Sequence, residues 1–129
     1  MKICIDLDGV ICRLKNPGEQ YQDLLPVDGA PESLKSLRES GHYIIINTAR
    51  HMKTCQSNLG QVQARIAQVT LNWLEKYEIP YDEIYFGKPH ADVYIDDNAY
   101  RFMSWNDISS DGGNLPMSKE KQLHKEAAV

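Results

Sequence analysis

Four carboxylates, a threonine hydroxyl and a lysine ammonium each fall at or just beyond a short apolar run. They are Asp6 and Asp8 in Asp6-Leu7-Asp8-Gly9, Thr48 in Thr48-Ala49-Arg50, Lys88 in Gly87-Lys88-Pro89, and the pair Asp96-Asp97. Residues two apart on a strand point to the same side, so Asp6 and Asp8 can face one site. Clustered carboxylates repel, and near neutral pH some take up protons unless a cation sits among them. Oxygen ligands without a Cys or His pair select a hard cation, and Mg²⁺ is the usual choice beside a phosphate. Lys88 adds positive charge, and Thr48 offers its hydroxyl and backbone N–H to phosphate oxygens. The set suits holding a phosphoryl group against Mg²⁺ with a carboxylate in line to attack it. Taken singly the pieces are weak. A lone Asp-x-Asp is more often a solvated turn, and Asp96-Asp97-Asn98 alone reads more readily as a helix-capping cluster. Their common placement past strand candidates carries the joint reading.

The elements that must position these groups follow from hydrophobic pattern. Residues 2–7 form a short apolar run ended by the turn signal Asp8-Gly9, and 43–47 holds three adjacent isoleucines, as in a strand covered on both faces. Two weaker strand candidates are 83–86 before Gly87 and 92–95 before Asp96-Asp97. Pro31, Leu34, Leu37 and Gly41 mark a first helix by its start, its stripe and its end. Val62, Ile66, Val69, Trp73 and Tyr77 make one stripe of a second helix over 61–77. Strand, helix, strand, helix, strand, strand predicts an α/β fold: a single Rossmann-like, three-layer α/β/α domain with a mainly parallel sheet. Ligands of such sheets bind beyond the carboxyl ends of the strands, where all the reactive groups would meet. The core is expected over 1–108, and 109–129 is a polar tail that either frays or forms a loosely docked helix.

The 129 residues suffice for one domain, and 42% hydrophobic with 25% charged residues excludes wholesale disorder. A net charge of -4 gives no broad electrostatic footprint for nucleic acid or anionic lipid. No apolar run approaches the ~20 residues needed to span a bilayer, and Met1-Lys2 leads straight into a strand-like segment, so no cleavable leader pattern is expected. Cys4, Cys12 and Cys55 are odd in number and lack metal-ligand spacing, which predicts three reduced thiols in a cytoplasmic protein. Cys12 stands out for its closeness to the suspected site.

At these residues the chain resembles the haloacid dehalogenase (HAD) superfamily of phosphotransferases. Asp6-Leu7-Asp8-Gly9-Val10 matches the first family motif, and Ile44-Ile45-Ile46-Asn47-Thr48 the second. Lys88 matches the third, and Val93-Tyr94-Ile95-Asp96-Asp97 the fourth. The resemblance covers roughly 2–108. More loosely, Asn47-Thr48-Ala49-Arg50, 80–84 and Gly87-Lys88-Pro89 resemble a small subgroup associated with capsular-polysaccharide biosynthesis. The resemblance implies that Asp6 is a nucleophile forming an aspartyl-phosphate, and that Asp8 protonates the leaving oxygen and then acts as base toward water. It implies Mg²⁺ held by the Asp6 carboxylate, the Asp8 main-chain carbonyl and Asp96, with Asp97 orienting metal-bound water. Thr48 and Lys88 would hold the phosphate. An acid at position 8 goes with phosphatases and phosphomutases in this superfamily.

Many relatives carry a cap domain, but neither 10–30 nor 49–85 has room for one given the ~40-residue floor for an unaided fold. A capless, open site leaves the leaving group to other contacts. Residues 50–58 read equally as a lid or as an ordinary crossover, and a neighbouring subunit in a homo-oligomer is another means of closure. Arg50 is the candidate for a second contact on the substrate. The four histidines, His42, His51, His90 and His124, have no zinc-site spacing and stay outside the catalytic set. The expected activity is Mg²⁺-dependent hydrolysis of a small phosphomonoester of sugar phosphate or glycerol phosphate type. The alternatives are a phosphomutase, or a non-catalytic phosphate-binding or receiver-type signalling domain.

Overall fold

The structure, a computed structural model, describes residues 1–127. Three strands, β1 (Lys2–Asp6), β2 (Tyr43–Thr48) and β3 (Glu83–Phe86), form an all-parallel sheet with β2 in the centre. Asp6 pairs in register with Asn47, and Thr48 with Phe86, so the carboxyl ends of all three strands finish level. The Leu7 N–H continues the ladder onto the Asn47 carbonyl at 3.0 Å. The result is an open α/β sheet compatible with a single Rossmann-like domain.

Helix α1 (Ala30–Glu39) carries Pro31 in its first turn and buries Leu34 and Leu37. Ser40 closes it, and Gly41 follows with φ 93°, a conformation that leaves few residues but glycine comfortable. Helix α2 (Leu59–Lys76) begins two residues before the expected 61. The Asn58 side chain accepts the Gln61 N–H at 3.1 Å and so satisfies a donor that the first turn leaves free. Val62, Ile66 and Trp73 are buried along the predicted stripe, with Thr70 and Leu74 beside them. Together with Ile5, Leu7, Ile11, Ile44, Ile46 and Ile79 the helices close one main core. Two tryptophans tie loops to it: Trp73 donates its indole N–H to the Leu24 carbonyl at 2.7 Å, and Trp105 to the Val10 carbonyl at 2.8 Å. Such partners let a large ring be buried without stranding its N–H.

Two expectations change. Residues 92–95 are not a strand. Val93 and Ile95 point to solvent, Ile95 fully, and Tyr94 turns to the Pro89 carbonyl, so the apolar triplet has neither a ladder partner nor cover. Among the described residues the sheet therefore has three strands. In β2 only Ile44, Ile46 and Thr48 are fully enclosed, while Ile45 and Asn47 on the other face are half-buried. The tail divides in two. His42 Nε2 meets the Asp111 carbonyl at 2.7 Å and pins the 109–114 turn to the body. Helix α3 (Lys119–Ala127) buries none of its residues.

Gly87 controls how β3 hands on to Lys88. Its φ is 116°, its N–H and that of Lys88 both donate to the Thr48 carbonyl at 3.1 Å, and a Cβ placed there would lie 2.6 Å from the Leu59 side chain. Gly87→Ala should therefore lower stability by about 1–3 kcal/mol, read as a fall in Tm, and displace Lys88. An unchanged Tm would show that this turn is unstrained.

Candidate active site

At the level carboxyl edge, Asp6, Asp8, Thr48, Arg50 and Lys88 come together. Alternation on β1 sends Ile3, Ile5 and Leu7 toward the core and leaves Asp6 and Asp8 on the other side. A tight loop then fixes Asp8. Gly9 takes φ 91° and donates to the Cys12 carbonyl at 2.7 Å, while the N–H groups of Ile11 and Cys12 both reach the Leu7 carbonyl at 2.9 Å. From β3's end, Lys88 Nζ reaches Asp6 Oδ2 at 3.5 Å and also sits 4.3 Å over the Tyr94 ring.

Asp6 is electrostatically loaded. Burial pushes its carboxyl pKa up, Lys88 pulls it back, and Asp8 adds to the rise. A charge kept ionised against burial and a like neighbour is what a bound cation relieves. The donor chemistry here, carboxylate oxygen without thiolate or imidazole, suits a hard divalent ion. Asp96 does not join this cluster. It lies on the exposed 92–98 segment, where its Oδ1 accepts the Asn98 N–H at 2.7 Å, and Asp97 beside it is exposed as well. Among the described residues, no three Asp, Glu, His or Cys side chains are grouped to hold a metal. Part of the capping reading is met instead, since Asn98 Oδ1 accepts the N–H of Lys119 at the start of α3 at 3.1 Å.

Thr48 and Arg50 are placed differently from expectation. Thr48 is fully buried; its hydroxyl donates to Asp8 Oδ2 at 3.2 Å and accepts the Arg50 N–H at 3.1 Å. The Arg50 side chain has no solvent exposure at all. Its Nε donates to Asp8 Oδ1 at 3.0 Å and Oδ2 at 3.2 Å, and Nη2 lies 3.0 Å from Asp8 Oδ1. Nη1 donates to the Thr70 hydroxyl at 3.1 Å, Nη2 to Cys12 Sγ at 3.5 Å, and the guanidinium stacks 4.2 Å from the centre of the Tyr21 ring. So enclosed, Arg50 is not the solvent-facing substrate contact that the sequence suggested. Burial pushes the Cys12 thiol up to about 11 and also raises the Tyr21 phenol, so both surround the guanidinium as neutral groups. Thr70 and Tyr21 escaped the sequence reading. Thr70 carried a signal as a polar residue on the apolar stripe of α2, whereas Tyr21 carried none.

Residues 50–58 are turns anchored by Met52 and Cys55, which pack on Val62 and Ile66. His51, Gln56 and Ser57 adopt φ of 60°, 50° and 63°, a region side chains rarely occupy. Beside them an open groove of about 490 Å³ is lined by Met52, Lys53, Gln56, Ser57, Pro89 and His90. It lies between the loops that follow Thr48 and Lys88. Burial lowers the His51 imidazole pKa, with Arg65, Arg50 and Lys15 acting in the same direction.

Because the folded-state pKa of Asp6 lies above its unfolded value, its stabilising contribution is complete below the ordinary carboxylate pKa of about 3.9 and is lost as pH rises through the folded value. Asp6→Asn should accordingly raise Tm at pH 7 to 8, with the gap over wild type closing toward pH 4. A variant less stable than wild type at pH 7 would contradict this electrostatic picture.

The chain is similar to several solved structures. A target protein from Vibrio cholerae, known from its crystal structure, is 31% identical over 98% of both chains with a TM-score of 0.72. Two structures of the Pnkp1/Rnl/Hen1 complex, one described as an RNA repair complex, match 75% of this chain at 24% and 25% identity. They do so with TM-scores of 0.49 and 0.47 over 28% and 30% of the matched chains. No protein-family model and no curated protein matches. The chain belongs to one family with the Vibrio cholerae protein.

Proposed function

We propose that this protein is a Mg²⁺-dependent phosphomonoesterase that acts through an aspartyl-phosphate on Asp6. The observation that carries the reading is the pairing of two adjacent carboxylates with two cations at the carboxyl edge of a parallel sheet: Lys88 3.5 Å from Asp6 and Arg50 3.0 Å from Asp8. Asp6 attacks phosphorus, and the leaving oxygen takes a proton from Asp8. Asp8 then takes a proton from the water that cleaves the Asp6–phosphorus bond. Lys88 neutralises phosphate charge and lowers the proton affinity of Asp6. Thr48 belongs to the phosphate-binding set, its hydroxyl standing beside Asp8.

Asp6 and the Asp8 main-chain carbonyl would hold Mg²⁺ at this edge; Asp96, with Asp97 behind it, would complete the set only if the exposed 92–98 segment folded in toward Asp6. When bound, the ion supplies Lewis-acid polarisation of the phosphoryl oxygens. The groove walled by Lys53, Gln56, Ser57 and His90 supports a small polar leaving group, of the sugar phosphate or glycerol phosphate type. The finer placement among capless phosphatases of capsular-polysaccharide biosynthesis rests on the Asn47-Thr48-Ala49-Arg50 and Gly87-Lys88-Pro89 segments.

Release of p-nitrophenol from p-nitrophenyl phosphate tests the assignment. Activity with Mg²⁺ should fall at least ~1,000-fold in EDTA and in Asp6→Asn; equal activity in all three samples would overturn it. Since Lys88 lowers the Asp6 pKa, Lys88→Met should move the acidic limb of the kcat/KM profile to higher pH. A limb that stays in place would remove Lys88 from the electrostatics of the nucleophile.

A further inference from the structure

Arg50 is the most enclosed charged side chain of the site, and it joins four separate parts of the chain. Its guanidinium meets Asp8 and Cys12 from the loop after β1, Thr70 from α2 and Tyr21 from the connection before α1, while its backbone N–H meets Thr48 at the end of β2. A buried guanidinium fork with a carboxylate in its teeth fixes both the position and the rotation of that carboxylate, which a point-like ammonium does not do. The two oxygens of Asp8 are also made unequal. Oδ1 carries the two shortest guanidinium contacts, both 3.0 Å, whereas Oδ2 has a 3.2 Å contact to Nε and another to the Thr48 hydroxyl.

We propose that Arg50 is a positioning residue that clamps Asp8 through Oδ1 and leaves Oδ2 as the oxygen that exchanges protons with the leaving group and with water. The inference rests on the phosphatase reading and assigns Arg50 a part that spares it any contact with substrate. In the first step the Asp6–phosphorus bond forms, the bond to the leaving oxygen breaks, and the proton on Oδ2 passes to that oxygen. In the second, Oδ2 recovers a proton from water as the water oxygen bonds to phosphorus and the Asp6 carboxylate departs. Thr48 exchanges its hydrogen bond with Oδ2 as the proton moves. Thr70 and Tyr21 hold the guanidinium from the sides that Asp8 does not occupy.

The clamp predicts a kinetic signature that general loss of structure does not produce. Nitrophenolate leaves without help, so a badly placed Asp8 hinders the second step with this substrate more than the first. In Arg50→Lys and Arg50→Gln, full-length and with Mg²⁺, rapid mixing with p-nitrophenyl phosphate should show a burst approaching one equivalent per folded enzyme. Slow turnover should follow, with kcat down about 10- to 100-fold and KM unchanged or lower. The loss in kcat/KM should be larger for alkyl than for nitrophenyl esters, because only alkoxide leaving groups need the proton. Thr70→Val should show the same pattern more weakly, and Arg50→Lys should keep more activity than Arg50→Gln. A raised KM without a burst, or losses equal for both ester classes, would overturn the clamp. So would unchanged turnover per folded molecule, with circular dichroism counting the folded fraction. Absence of turnover in the wild-type arm would instead refute the phosphatase reading, and the clamp with it.

Discussion

Two carboxylates, one ending a strand and one two residues beyond it, are each matched by a cation from a different part of the chain. Burial raises the proton affinity of Asp6, and the like charge of Asp8 adds to the effect. Lys88 on Asp6 and Arg50 on Asp8 keep the pair tolerable within one fold. The two cations differ in a way that matters. Lys88 is partly exposed on a short loop, between Asp6 and the Tyr94 ring, whereas Arg50 is wholly enclosed and held from several directions. In the proposed mechanism a partly exposed charge thus faces the nucleophile, and an enclosed charge backs the group that moves protons.

The parallel sheet makes this arrangement available. Level carboxyl ends bring residues that are 40 or more positions apart in sequence to one edge, and each loop needs only a short excursion to deliver its side chain. Leu7, enclosed completely, anchors the strand on the core side while its neighbours on either side face the site. Gly9 and Gly87 do the local turning with backbone angles that side chains disfavour, and the Trp105 indole holds the Val10 carbonyl beyond the first turn. Among the described residues no separate unit covers the edge, and the groove beside 50–57 is open, its polar walls accessible to solvent.

Much of this was legible in the sequence for definite reasons. Apolar runs ended by Asp-Gly and Gly-Lys-Pro mark strands with reactive ends, and the stripe from Val62 to Trp73 marks α2 almost to its boundaries. Asp6, Asp8, Thr48 and Lys88 meet because each lies at a strand's end. The 92–95 segment failed because a three-residue apolar run specifies a strand only if neighbours cover it, and here none does. Asp96 and Asp97 consequently lie on an exposed segment, and their neighbour Asn98 does the capping that the local sequence alone favoured. Arg50 was misjudged because an arginine after a strand looks the same in sequence whether it faces water or a buried carboxylate. Its partners Thr70 and Tyr21 lie 20 and 29 positions away, and only the fold reveals that they share it.

The central claim is that phosphorus becomes covalently attached to Asp6. Borohydride reduction of protein quenched during turnover, followed by peptide mass spectrometry, tests it most directly, since an aspartyl-phosphate is reduced to homoserine. The account predicts homoserine at position 6, dependent on Mg²⁺ and on a phosphomonoester. Homoserine at another aspartate, or an unreduced Asp6 in protein that is actively hydrolysing its substrate, would contradict it.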